Sequence, residues 1–101
     1  MSGHGNSGFR VRNLRGTSDC NCRTYRLHRA SLDSTTRCAA HGCPYRATRA
    51  CHVVSANQNA RSGVRFLVYM CPHHNGIHGI PFSIRLNARH IQMPECYHGY
   101  D

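Results

Sequence analysis

The most informative segment of the sequence begins with CAAHGC at residues 38–43 and ends with CPHHN at residues 71–75. Between these motifs lie a short apolar run, a polar loop and a strongly alternating segment, which together predict a β-hairpin. Two donor pairs, each close in sequence and separated by a hairpin, supply the ligands of one tetrahedral zinc ion. The motifs therefore predict a structural Zn²⁺ held by Cys38, Cys43, Cys71 and His74.

The residues around each pair are compatible with this site. Gly42 precedes the second cysteine and can adopt the positive φ that turns backbone amides towards a thiolate. Pro72 suits the first turn of a helix, and in such a turn His74 lies on the same side as Cys71. The alternative is that Cys38 and Cys43 are buried as small apolar side chains.

Alternating and helical patterns predict the remaining elements. Residues 1–9 form a disordered tail, and residues 10–101 form a single zinc-binding domain with its core at residues 38–78. The last segment, from Pro94 onwards, is a tail that contains Cys96 and His98. Between the two tails we expect an edge strand at 9–14, a helix at 24–32, hairpin strands at 50–54 and 64–70, and a strand at 82–86. We expect the segment at 90–93 to extend the strand at 82–86 or to pair with it.

The composition indicates a small domain that needs a covalent or metal staple. The chain has 101 residues, 40% of them hydrophobic, and no Trp. Structural zinc can add on the order of 10–16 kcal/mol of apparent binding energy to folding. The odd count of seven cysteines disfavours a closed disulfide framework. No secretory signal and no apolar span of ~20 residues is visible, so we expect a cytoplasmic location and no membrane partner.

The charge indicates an anionic partner. All thirteen basic residues are Arg, and four acidic residues leave a formal net charge of +9. Arginine suits bidentate phosphate contacts and stacking on bases, so nucleic acid, DNA rather than RNA, is the favoured partner. An acidic protein, or an ordinary solvated surface without a partner, fits the charge as well. The candidate phosphate contacts are Arg23, Arg26 and Arg29 on the predicted helix, and Arg61 and Arg65 on the hairpin.

Residues 38–78 resemble a treble-clef zinc finger, and within that group the ββα-metal (HNH nuclease-like) branch. The resemblance implies a small α+β zinc-stapled domain with a knuckle, a hairpin and a short helix, followed here by extra C-terminal strands. It also implies catalytic roles. His52 stands where the family has its general base, and Asn75 stands where a residue helps to hold a catalytic Mg²⁺ or Mn²⁺.

Two positions depart from the family pattern and decide the order of the functional hypotheses. Cys51 replaces the Asp that precedes the base, and Phe66 replaces a middle Asn. Without a hard oxygen ligand, a catalytic Mg²⁺ lacks its preferred donor, so a binding module ranks ahead of a nuclease. The other alternative is a non-catalytic protein-binding module, such as a small bacterial or phage regulator or inhibitor.

The remaining histidines and cysteines leave several roles open. His52 can be a core residue, a donor that orients a zinc ligand, or a ligand itself. A different geometry would pair His74 with His78, four residues apart. Cys20 and Cys22, with His28, could begin a second metal site completed by Cys51 or by Cys96 and His98. Free thiols with Cys51 buried are the interpretation that the sequence favours here.

Overall fold

The computed structural model describes residues 7–101, so most of the predicted N-terminal tail lies outside the described residues. They form a small α+β domain in which a curled antiparallel sheet is accompanied by two short helices. The sheet has the strand order β4-β1-β2-β3-β5. The elements are β1 (Ser7–Asn13), α1 (Arg23–Arg29), β2 (Arg49–Ser55), β3 (Arg65–Met70), α2 (Pro72–Asn75), β4 (Phe82–Arg85) and β5 (His90–Met93).

The hairpin of β2 and β3 is the centre of the sheet, and its prediction is confirmed. Cys51 pairs with Val68, and the next residue, His52, pairs with Leu67. Because successive side chains of a strand point to opposite faces, the hairpin presents one set of residues to each side. Both faces are covered here, which explains why the two strands read as nearly continuous apolar runs.

Each face of the hairpin has its own cover. Cys51 and Val68 pack in a cluster with Cys38 and Cys71, beneath the knuckle loop (residues 36–48) and α2. Leu67 and Tyr69 pack with Cys20 and Cys96, and the partly buried Tyr25 and Leu32 close this second cluster from the side of α1. The molecule is therefore layered about one sheet, with a cysteine-rich cluster on either side.

Three differences from the sequence expectations concern the outer strands. β1 is not an edge strand, because it lies between β4 and β2, where Val11 faces Phe82 and Ser55. It begins at Ser7, so it includes three residues that the sequence assigns to the tail. β5 pairs with β3 and not with β4. The edges of the sheet are thus the two short C-terminal strands.

α1 is shorter than expected, whereas α2 is a short helix, as the sequence predicts. α1 ends at Arg29, and α2 spans a single turn that stops at Gly76. No helix in the described part of the chain is long and apolar enough to cross a membrane.

Two candidate metal centres

The four residues that the sequence pairs as zinc ligands lie together. The donor atoms of Cys38, Cys43, Cys71 and His74 are all within 4.8 Å of one another, and we call this set the knuckle centre. The knuckle loop supplies the first two, Cys71 follows the end of β3, and His74 lies on α2. Gly42 has φ 79°, the left-handed conformation expected for the turn before Cys43.

Three distances between donor atoms of the knuckle centre can be compared with the edges of a zinc tetrahedron. With Zn–S of about 2.3 Å and Zn–N of about 2.0–2.1 Å, such a tetrahedron has S···S edges of about 3.8 Å and S···N edges of about 3.6 Å. The Sγ atoms of Cys43 and Cys71 are 3.9 Å apart. Nδ1 of His74 lies 3.6 Å from the sulfur of Cys38 and 3.3 Å from that of Cys71. These three distances lie near the edges of such a tetrahedron, and all donor atoms of the set lie within 4.8 Å of one another.

The pKa values of these residues make cation binding depend on pH. Burial raises the pKa of Cys38 to about 12. At Cys71 burial acts in the same direction, but the backbone amide of His74 and the thiols of Cys38 and Cys43 stabilise the thiolate and lower its pKa. Burial, followed by the charge of His73, lowers the pKa of His74 and keeps the imidazole neutral. A bound cation would displace the remaining thiol protons, so affinity must rise with pH.

Neighbouring polar groups hold α2 in place. The Asn13 side chain donates to the backbone carbonyls of His74 and Ile77, at 2.7 and 2.8 Å. The Cys51 thiol donates to Oδ1 of Asn75 at 3.0 Å, and burial raises the pKa of Cys51 to about 12. Cys51 is thus a buried neutral thiol that orients Asn75, outside both sets of metal donors.

A second set of donors lies on the opposite side of the sheet. The donor atoms of Cys20, Cys22, Cys96 and His98 also lie within 4.8 Å of one another, and we call this set the terminal centre. Its measured edges are 3.7 Å between the sulfurs of Cys20 and Cys96, and 3.5 and 3.8 Å from Nδ1 of His98 to the sulfurs of Cys22 and Cys96. These are again the edges of a zinc tetrahedron.

The structure shows which residues lie beside Cys20 and Cys22. Cys20 and Cys22 are joined by Cys96 and His98, whereas His28 lies near Arg89, at 3.5 Å, and is no donor to this centre. Burial raises the pKa of Cys20, and it raises that of Cys96 to about 12. These thiols therefore stay protonated near neutral pH unless a cation displaces their protons. Both centres can hold a metal ion such as zinc.

His52 belongs to neither set of donors. Its side chain is almost fully buried, its ring packs on that of Tyr25 at 4.5 Å, and neither ring nitrogen has a hydrogen-bond partner in the described part of the chain. Burial, reinforced by the charges of His98 and Arg65, lowers the pKa of His52 to about 4. Because Cys51 contacts Asn75, the adjacent His52 faces the other side of the sheet, and the structure does not bring His52 and Asn75 together.

The candidate phosphate contacts divide into two groups. Arg23, Arg26, Arg29 and Arg61 are exposed. Arg65 corrects the sequence interpretation, because it is buried and donates to the backbone carbonyls of Gly63, Tyr97, His98 and Gly99. Its guanidinium fixes the C-terminal segment that carries Cys96 and His98 and is not available to a phosphate.

Comparison with known proteins assigns no relative. No family model, no curated protein and no solved structure matches this chain.

Proposed function

We propose that this protein is a zinc-stapled module that binds nucleic acid, with zinc in both the knuckle centre and the terminal centre. The observation that carries the proposal is a strongly uncompensated arginine surface on a scaffold with two preorganised thiolate and imidazole donor sets.

The donor chemistry supports zinc over harder cations. Each centre combines three cysteine sulfurs with one imidazole nitrogen. Soft thiolates select Zn²⁺, whereas Mg²⁺ and Ca²⁺ require oxygen donors. All four donors come from the protein, which is typical of a structural site rather than of a catalytic one with an open position.

The order of elements at the knuckle centre supports the treble-clef interpretation. A cysteine knuckle precedes the hairpin of β2 and β3, and the last two donors follow directly at the start of α2. The positions of His52 and Asn75 do not support the hydrolytic alternative. A general base must reach the reacting water, whereas the His52 ring is enclosed and faces away from Asn75.

The surface charge supports an anionic partner. Ten of the thirteen arginines are exposed. Among the described residues only one ion pair forms, between Arg12 and Asp101 at 2.8 Å. Because so little of the positive charge is neutralised within the molecule, a polyanion gains contact with many free guanidinium groups.

The test combines metal analysis with a binding assay. Protein purified without added zinc should contain two zinc ions per chain, one for each donor set. Fluorescence anisotropy should show binding of a labelled oligonucleotide by this protein, and binding should disappear when a chelator removes both ions and return when zinc is restored. Absence of zinc, or equal binding by the metal-free chain, would contradict the proposal.

A further inference from the structure

A surface cavity of about 250 Å³ lies where the knuckle loop, β3 and the turn between β4 and β5 meet. Three arginines line it, Arg37 from the knuckle loop and Arg85 and Arg89 from the end of β4 and the following turn. Thr36 and Asn87 add polar side chains to its wall. We call this feature the arginine cavity.

No carboxylate of the described chain lines the arginine cavity. Asp101 pairs with Arg12, and Glu95 accepts a hydrogen bond from the Thr24 amide at 2.9 Å. Asp33 contacts one lining residue, because its Oδ1 accepts from the Thr36 hydroxyl at 3.3 Å, but the same oxygen also accepts from the amide and hydroxyl of Thr35. Three arginines therefore line one cavity without a carboxylate on its wall.

Arg85 has an unmet hydrogen-bonding group at this place. Its Nε is buried and has no partner among the described residues, and its Nη2 reaches the Arg37 carbonyl only at 3.5 Å. Buried donors are normally satisfied, so the unmatched N–H leaves the Arg85 guanidinium weakly fixed within the molecule, and its other N–H groups can turn towards an acceptor in the cavity. Arginine forks match tetrahedral oxyanions, since two parallel N–H groups meet two oxygens.

We propose that the arginine cavity binds a phosphate group. The inference deepens the proposed nucleic-acid function, on which it rests, because it names the position that one phosphate of the ligand takes. Either a terminal phosphomonoester or a backbone phosphodiester supplies this chemistry.

A neighbouring cavity gives the proposed phosphate site a place for the attached nucleoside. It shares Thr36 and Arg37 with the arginine cavity and is also lined by Tyr45 and Arg46. Tyr45 is 68% exposed, so its ring is free for contact. A base next to a bound phosphate can stack on such a ring, as in proteins that bind single strands. The two cavities together therefore fit a nucleotide of a single strand.

The first experiment uses inorganic phosphate and the zinc-loaded full chain. Heteronuclear NMR spectra are recorded during titration with phosphate at constant ionic strength. The expected result is saturable shifts of the Nε–H signal of Arg85 and of backbone amides at 36–39 and 85–89. The double variant Arg37→Gln/Arg89→Gln should lose these shifts, and the control Arg10→Gln/Arg15→Gln, which removes the same charge from exposed positions elsewhere, should keep them.

The second experiment separates the two sources of phosphate. Single-stranded oligonucleotides of one sequence, with a 5′-phosphate or a 5′-hydroxyl, are compared by anisotropy. A terminal site predicts roughly tenfold tighter binding of the phosphorylated strand, lost in Arg37→Gln/Arg89→Gln. A backbone site predicts equal binding of both strands and a larger loss in that variant than in the control.

The outcomes keep this inference distinct from the proposed function. If oligonucleotides bind while phosphate shifts no signal at 36–39 or 85–89, the cavity proposal is wrong and nucleic-acid binding stands. If phosphate shifts those signals but no oligonucleotide binds, the cavity proposal is supported and the proposed function fails. Equal loss of the phosphate shifts in both double variants would overturn the cavity proposal, since it would show a response to net charge alone.

Discussion

At the scale of single residues, His52 is the buried side chain whose polar atoms are least satisfied. It lies at the centre of the hairpin against Tyr25, and both of its ring nitrogens lack partners in the described chain. A neutral imidazole tolerates this environment far better than an imidazolium, and burial accordingly lowers its pKa to about 4. The residue therefore links the stability of the core to pH.

We predict that His52→Leu reduces the pH dependence of stability. In the unfolded chain His52 has a pKa of about 6.5, whereas in the folded chain it takes up a proton only near pH 4. The wild-type protein therefore loses stability as the pH falls from about 6.5 to about 4. The loss attributable to His52 is roughly 3 kcal/mol across the window. Urea unfolding at pH 7, 6 and 5 measures the part of this loss that falls above pH 5, which is about 2 kcal/mol.

The comparison must be made between variants, because metal centres also lose stability as their thiolates protonate. That loss is common to the wild-type protein and His52→Leu, so the difference between them isolates the buried imidazole. His90→Gln, at an exposed histidine, is the matched control and should retain the wild-type slope. Parallel pH curves for wild type and His52→Leu would show that the ring is accessible to protons in the folded state.

At the scale of elements, the two centres connect different parts of the chain. The knuckle centre joins the loop before β2 to the end of β3 and to α2, all within the central hairpin unit. The terminal centre joins the segment before α1 to the segment after β5, so it holds together the two segments that pack on the face of the sheet with Leu67 and Tyr69. Loss of each centre should therefore have a different consequence.

We predict that Cys71→Ser abolishes cooperative folding, whereas Cys96→Ser leaves a folded protein with one zinc ion. Cys71 ties the end of β3 to α2 beneath the larger buried cluster, so its loss removes the staple of the main core. Cys96 holds the C-terminal segment, which Arg65 also fixes through backbone carbonyls. Metal analysis and thermal melts followed by circular dichroism distinguish the two variants.

Cys51→Ser lies outside both donor sets, so it is the control and should keep both ions. A cooperative melt of Cys71→Ser with the wild-type midpoint would contradict the prediction.

The elements that sequence reasoning finds are those with a local signal. The strands at 50–54 and 64–70 carry alternation, and the spacing from Cys71 to His74 fits one helical turn, so the hairpin and the four knuckle residues follow from short-range patterns. The partner of Cys20 has no such signal, since Cys96 lies 76 positions away. The pairing of β5 with β3 brings it there, and the alternation of four residues does not specify a partner strand.

Burial of charge explains the other limit of sequence reasoning. Arg65 and Arg61 look equivalent in the sequence, as basic residues of one hairpin. The structure separates them, because Arg65 points among the carbonyls of residues 97–99 while Arg61 is exposed. A sequence gives the number of arginines, but which of them are free to bind depends on contacts between distant segments.

At the scale of the whole molecule, the arginine surface predicts a steep salt dependence of nucleic-acid binding. Each phosphate neutralised by an arginine releases condensed counterions, so log K falls against log salt with a slope of about −0.9 per contact on duplex DNA and about −0.7 on single strands. A chain of this size that engages about four phosphates should lose roughly a hundredfold in duplex affinity between 50 and 200 mM salt. Anisotropy titrations over that range measure the slope.

The same slope identifies which arginines take part. Neutralising Arg23, Arg26 and Arg29 together on α1 should weaken binding at low salt and make the slope shallower by about one unit for each lost contact. Arg65→Gln should instead reduce the stability of the fold without a comparable change in the salt dependence of binding, because the Arg65 guanidinium donates to backbone carbonyls. If neither duplex nor single-stranded nucleic acid binds detectably at 50 mM salt, the prediction is wrong and an acidic protein becomes the favoured partner. The carboxylates of a protein are fewer than the phosphates of a nucleic acid and carry no condensed counterions. Binding to such a protein should therefore depend less steeply on salt.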